Sequence, residues 1–392
     1  MRSWSAALLA MILGLAILLM WVPGAWINPS LFQAALLALT CVWCGRLVLR
    51  PYAVRGSLGM IPLAGAVAWG LIQLATGQTV SRWETLNATL GWAGNLAGFW
   101  LALQICENDR VRRALLRGLV AFAFAISLLS VLQFFTSPNK LLWFYSQGGL
   151  AFGPFESPDR YAAFAELLLP VAVVQAVRGQ RVKWFYAAAA ATLFAAVVAG
   201  ASRAGSALIL AEVVTLGLLG WGHRRLGRAI AVFAAMACVF TAVVGVETLM
   251  RRLGGTDPYA ERRAFLQSAV AMTRDRPAFG FGLGNFENAY PAYALLDIDQ
   301  IVNHAHNDWA EWAADGGVPF LSLMVCMGVW VIPKAVRSVW GVGILAVLAH
   351  STVDFPLQSA AIEIWVFAFM GVLAADRPRR DLAVASPVRG YS

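Results

Sequence analysis

Apolar runs close to twenty residues long recur along the whole chain, and no other feature limits its fold so sharply. They fall at about 5–22, 31–45, 58–76, 86–105, 114–134, 161–177, 184–200, 204–222, 228–246, 317–333, 338–350 and 359–375. A helix needs ~20 apolar residues to cross the hydrocarbon core, whereas a membrane β-barrel is written in alternating segments of roughly ten. Inside lipid every backbone N–H and C=O must be bonded within the protein, so runs of this length predict helices. With 60% hydrophobic and 13% charged residues, the 392-residue chain holds more apolar side chain than one soluble core can bury. The expected fold is all-α, a polytopic membrane protein of about 12 transmembrane helices in which residues 1–392 form one integral membrane domain. A large loop at 247–316 separates the ninth and tenth helices. Arg2 and the apolar run behind it have the look of a signal peptide, but the run is long for one and more runs follow, so it reads as a retained first helix.

A net charge of +9 raises the question of nucleic acid, and the distribution of charge answers it. Threaded through twelve spans, one set of short loops holds 20 of the 30 cations, among them Arg46, Arg50, Arg110, Arg112, Arg113, Arg224 and Arg225. The same loops hold only Glu107, Asp109, Asp376 and Asp381 of the 21 acids. This is the positive-inside pattern; it predicts cytoplasmic termini and calls for a lipid bilayer rather than nucleic acid as partner. Cys41 and Cys44 form an isolated C-x-x-C within an apolar run, which reads as small buried hydrophobes, not as zinc or a disulfide.

With that threading, the chemically loaded stretches fall on the opposite, outer face. HAHNDWAEWAADGG (304–317), wound at about 100° per residue, places His304, Asp308, Glu311 and Asp315 on one stripe. Ala305, Trp309 and Trp312 form a second stripe; His306, Ala310 and Ala313 form a third. The pattern predicts an amphipathic surface helix with acids toward water and tryptophans at headgroup level. His304 reads as solvated, whereas His306 faces the apolar bundle, where an imidazole needs a partner. His304, His306 and Asp308 as a zinc set are a weaker alternative, because no second His or Cys cluster lies near in sequence.

Arg203 in GASRAGS and Arg262 and Arg263 in ERRAFLQSAVAMTRDRP stand near the outer face against the positive-inside trend. Each calls for an anion, either a structural carboxylate or a phosphate. The glycines of FGFGLGNF (279–286) lack a surrounding βαβ unit and suit a tight connector rather than a dinucleotide loop. GPFESPDRYAAF (153–164), with Asp159 and Arg160, and HSTVDFPLQ (350–358), with His350 and Asp354, are polar turns that would line the same mouth together with His304 and Asn307.

Taken together, GPFESPDRYAAFAELLLP, GASRAGS, the arginine helix with DRPAFGFGLGNF, HAHNDWAEWAADGGVPF and HSTVDFPLQ resemble the O-antigen ligase and polymerase superfamily of bacterial envelope glycan enzymes. The set spans about 150–358 in the family's order. Asp159 departs from the asparagine of many members, and Leu266 stands where tryptophan is frequent, which leaves Arg262 and Arg263 as alternatives. The resemblance implies a metal-independent, cofactor-free, inverting glycosyltransferase of the bacterial inner membrane with its site facing the periplasm. Its donor would be an undecaprenyl-diphosphate-linked glycan and its acceptor the lipid A core or another glycan. By the same resemblance Arg203 and Arg262 or Arg263 hold the diphosphate, and His306 takes the proton of the attacking hydroxyl. A ligase role in lipopolysaccharide assembly is the first expectation; a polymerase with the same chemistry is the second. A transporter, of inorganic carbon for example, is the third, although Glu166, Glu212 and Glu363 are few ionisable groups for one.

Overall fold

The computed structural model describes residues 2–20, 27–50, 53–146, 149–178, 182–219, 260–296 and 299–376. Helices run at α1 Arg2–Leu18, α2 Ile27–Leu49, α3 Met60–Thr76, α4 Arg82–Ile105, α5 Asp109–Thr136, α6 Pro158–Arg178, α7 Lys183–Ala199 and α8 Arg203–Leu219. After the described chain resumes come α9 Ala260–Asp275, the single turn α10 Phe286–Ala289, α11 Asp308–Val336, α12 Val342–His350 and α13 Ala360–Ala375. Every predicted apolar run falls on one of these helices except 228–246, which lies outside the described residues. Among the described residues, four helical segments are long and apolar enough to cross a membrane: Pro29–Leu49, Asp109–Thr136, Pro158–Val177 and Asp308–Val336. Shorter apolar helices Arg2–Leu18, Met60–Thr76, Lys183–Ala199 and Ala360–Ala375 accompany them. Large apolar side chains such as Met11, Val42, Ile61, Leu132, Leu218 and Val329 cover the outside of the bundle, where lipid would take the place of a protein core.

The run at 338–350 does not form a full span. A 3-10 turn, Val339–Gly341, precedes nine helical residues, roughly 14 Å at 1.5 Å each, and the chain turns at Ser351. The thiols differ from expectation as well: Cys41, Cys44 and Cys326 lie on the outer surface, and only Cys106 among the described cysteines is buried.

Local chemistry sets the helix starts that matter. Ser81 caps α4 by accepting from the Glu84 amide, and Asn108 caps α5 through the amides of Arg110 and Val111. Asn307 caps α11 by accepting from the Ala310 amide at 2.9 Å. The predicted surface helix from His304 is therefore corrected: the chain is non-helical up to Asn307, and α11 continues from Asp308 into the apolar span. Its one break is Gly317, at φ 68° and ψ −174°, where a Cβ would stand 2.6 Å from the Pro277 carbonyl oxygen.

The acids of that stretch also face inward rather than toward water. Asp308, Glu311 and Asp315 are 0%, 2% and 4% exposed. Asp308, Glu311 and Asp315 share one face of the helix as the periodicity predicts, His304 does not, and the 277–286 connector, the 351–359 turn and the chain before Asn307 fold over that face and supply donors. Asp308 accepts from the Leu357 amide, Asp315 from the Gly284 amide, and Glu311 from the Ala305 amide. Backbone amides brought by loops do the work expected of water. The glycines of 280–284 all take positive φ, which lets the connector follow α11 so closely that Phe281 and Gly282 donate to the Ala314 and Asp315 carbonyls. Gln73 of α3 ties the same connector from the other side, donating to the Phe279 and Asp315 carbonyls and accepting from Leu283.

Beneath this cap, aromatic rings fill the centre. Trp92 meets Trp312, Phe320 and Phe367 with centroids 6.2, 5.3 and 5.5 Å away. Trp365 lies between Phe122 and Phe164 at 6.0 and 5.1 Å. Between α5 and α6 the chain forms a two-stranded hairpin, β1 Lys140–Leu141 with β2 Tyr145–Ser146, pinned by Gln133.

Candidate functional site

At one end of the bundle, three segments distant in sequence enclose a cavity of about 90 Å³ lined by Ser157, Asp159, Arg160, His306, His350, Asp354, Phe355 and Pro356. The start of α6 supplies Asp159 and Arg160, with the Ser157 hydroxyl accepting from the Arg160 amide. The end of α12 supplies His350, the following turn Asp354 and Phe355, and the chain before α11 supplies His306.

His306 sits at φ +52°, a left-handed conformation uncommon for a side-chain-bearing residue. That backbone turn seats the ring between two aromatics: it stacks on Phe265 of α9 at 5.7 Å and meets Phe355 edge-on at 4.6 Å. Its Nδ1 lies 3.2 Å from Asp354 Oδ1, so it faces a carboxylate and two phenyl rings rather than the alanines of a helix face. Asp354 is the hub of the site. Its Oδ1 also accepts from the Phe355 amide at 3.0 Å, and its Oδ2 accepts from Arg262 Nη2 at 3.2 Å. Burial alone would raise the Asp354 carboxyl, but the His306 hydrogen bond and the charges of Arg262, His306 and His350 outweigh it and hold the group well below the usual carboxylate range.

Arg262 reaches three groups: the Val353 carbonyl at 2.9 Å, Asp354, and Asp159 at 3.6 Å. Arg263 is exposed on the same helix. The sequence held the signal that separates them. Phe265, Ala269 and Met272 are the buried face of α9, and Arg262 lies at the edge of that face while Arg263 lies opposite. Arg160 pairs with Glu156 and lies 5.6 Å from the centroid of the Phe355 ring.

Arg203 opens α8 immediately after Ser202, whose hydroxyl bonds the Asp159 side chain. Ala201 at φ +55° makes the sharp turn there, and Gly200 lets Pro158 approach to within 3.0 Å of where a Cβ would be. Arg203 itself is partly buried and is not among the residues that line the cavity.

Two residues expected at the mouth are placed elsewhere. His304 does not line the cavity and is not simply solvated: its Nδ1 lies 2.8 Å from Glu311, and its ring stacks on Phe355 at 4.5 Å. Asn307 is consumed in capping α11 and in donating to the Thr352 carbonyl at 2.6 Å, and it borders a separate apolar groove. As a zinc set, His304, His306 and Asp308 are pulled apart, since they turn to Glu311, Asp354 and the Leu357 amide respectively. Sequence reasoning missed Glu166, which lies against His350, and the two phenyl rings that hold the imidazoles. Glu166 stands seven residues after Asp159 on one face of α6, a spacing that could have linked them.

The arrangement joins a ring nitrogen held by a buried acid, guanidinium groups and short polar side chains, which together can accept a proton and hold an anion. No curated protein matches the chain. Residues 188–325 match the family model described as O-antigen ligase, a stretch holding Arg203, Arg262, Arg263, His304, His306 and Asn307. The segments that complete the cavity, 157–160 and 350–356, flank the match on either side. The apolar helices support a multi-pass membrane protein, and its residues 188–325 are similar to the O-antigen ligase family.

Proposed function

We propose that this protein is an O-antigen ligase that moves a glycan from an undecaprenyl-diphosphate carrier to a hydroxyl of the lipid A core on the periplasmic face of the inner membrane. The observation that carries the reading is the meeting of His306, Asp354 and Arg262, from three separate segments, beside one polar cavity. Asp354 is acceptor-only, so His306 donates from Nδ1 and keeps the lone pair on Nε2. Arg262 balances the Asp354 charge, which leaves the imidazole free to act as a neutral base. The acceptor hydroxyl attacks the anomeric carbon opposite the diphosphate; its proton passes to His306 Nε2, and the C–O bond electrons go to the departing phosphate. Such in-line displacement inverts the anomeric centre. Arg203 and Arg262 meet the growing negative charge on the diphosphate, where fixed donors are most effective.

An apolar groove of about 530 Å³ between α9 and the start of α11, bordered by Val270, Trp309, Ala313 and Leu321, gives the polyprenyl tail a surface beside the cavity. The periplasmic placement rests on the basic loops, which draw the opposite end of the bundle to the cytoplasm.

Deleting the gene and resolving lipopolysaccharide and carrier-linked glycan on a gel tests the reading. Full-length polymer stranded on its carrier is the expected result. Single repeats on the core would make the protein a polymerase, and unchanged profiles would remove glycan transfer altogether. In the deletion background His306→Ala is expected to insert normally and restore no transfer.

A further inference from the structure

A second imidazole lines the same cavity. His350, the last residue of α12, is 0% exposed, and its Nδ1 lies 2.9 and 3.1 Å from the two oxygens of Glu166, also 0% exposed. The pair is fixed by backbone contact: at Gly343 a Cβ would stand 2.5 Å from the Glu166 carbonyl oxygen, so α12 lies directly on α6. Nε2, the other ring nitrogen, is buried and has no hydrogen-bond partner among the described residues. A buried polar atom of that kind, on a ring bordering a cavity, calls for a ligand.

The two imidazoles differ in what balances the acid behind them. Asp354 has Arg262, so His306 needs no second proton. Glu166 has His350 as its ion-pair partner among the described residues. Burying the Glu166–His350 pair with a net negative charge costs far more than burying it neutral. A neutral pair holds two protons, either as imidazolium and carboxylate or as imidazole and carboxylic acid. In the first both ring nitrogens carry N–H; in the second the acid O–H donates to Nδ1, which leaves the N–H on Nε2.

We propose that His350 donates a hydrogen bond from Nε2 to an anionic oxygen of the leaving phosphate, and that Glu166 is the residue that positions it. The inference rests on the glycosyl-transfer reading and divides labour within that site. His306 accepts the proton of the attacking hydroxyl; His350 keeps its own proton while its hydrogen bond tightens as the C–O electron pair moves onto the phosphate. No additional reactant is needed.

The test uses the full chain in lipid nanodiscs, following transfer from native carrier-linked glycan and its inhibition by farnesyl diphosphate. His350→Ala is expected to lower kcat about 100-fold, the effect of losing one preorganised donor, and to weaken inhibition about tenfold. His350→Gln, which retains an N–H near the Nε2 position, is expected to recover at least about tenfold of that loss. Glu166→Gln is expected to lower kcat about tenfold beside His350 but to have no further effect beside Gln at 350, because it acts only through the imidazole. The Glu166→Gln, His350→Gln double variant carries no charge at either position, so its thermal unfolding separates misfolding from lost chemistry. His350→Ala with kcat and inhibition within about threefold of wild type, while His306→Ala is inactive, overturns the inference and leaves the transfer reading standing. His350→Gln no better than His350→Ala overturns it too. Unimpaired His306→Ala removes the transfer reading itself.

Discussion

Replacing Asp354 by asparagine separates the proposed geometry from a merely convenient arrangement of polar groups. The carboxylate is 3% exposed and accepts from His306, Arg262 and the Phe355 amide. Asparagine keeps the volume and one acceptor oxygen, but it loses the charge and turns an NH₂ toward either the imidazole or the guanidinium, both donors. Breaking a fully buried ion pair costs about 3–5 kcal/mol. The Arg262 side chain is 23% exposed, so water recovers part of that, and about 2–3 kcal/mol is the appropriate scale. Expressed in the transition state, at ~1.4 kcal/mol per factor of ten, this is roughly a 30- to 150-fold fall in kcat/KM. Acid stability gives an independent reading. The folded Asp354 carboxyl lies below its ordinary value, so its stabilisation is fully present above about pH 4 and is lost as pH falls further toward the folded value. Asp354→Asn is expected to lack that component, giving a flatter thermal-unfolding profile on the acid side. Transfer within about threefold of wild type, together with an unchanged acid limb, would refute Asp354 as the hub.

Arg262→Ala is expected to cost at least about tenfold in transfer, and Arg263→Ala less than about twofold; equal effects would contradict the assignment of Arg262 to the site. Arg203→Lys keeps the charge but not the planar fork and is expected to lose most transfer in the same assay, whereas full activity would mark Arg203 as structural. Gly317→Ala puts a Cβ against the Pro277 carbonyl at a positive φ and is expected to destabilise the protein by about 1–3 kcal/mol, read as a lowered unfolding midpoint in detergent.

Helix positions were legible because lipid leaves a chain few choices. A backbone in hydrocarbon must bond to itself, and a stretch such as 114–134 can do so only as a helix, whatever surrounds it. The start of α11 was less legible. The stripe of Asp308, Glu311 and Asp315 is visible in the residues, yet nothing local tells a stripe that faces water from one that faces loop amides. The cap at Asn307 was also open to reading, being an Asn with acids in the first turn behind it, but periodicity carried the helix four residues too far toward the N-terminus.

By itself the sequence determined an apolar helical bundle, the clustering of basic residues in certain short stretches, and the concentration of histidines, arginines and acids in a few others. Tertiary structure decided which of those groups meet: Arg262 rather than Arg263 against Asp354, His306 held between Phe265 and Phe355, and His350 backed by Glu166 from a helix 184 positions away in sequence. The division has a physical cause. Crossing a membrane is settled residue by residue through transfer from water, whereas a proton acceptor and its anion-holding partners act over about 3 Å, a distance that only packed helices and the turns between them can set.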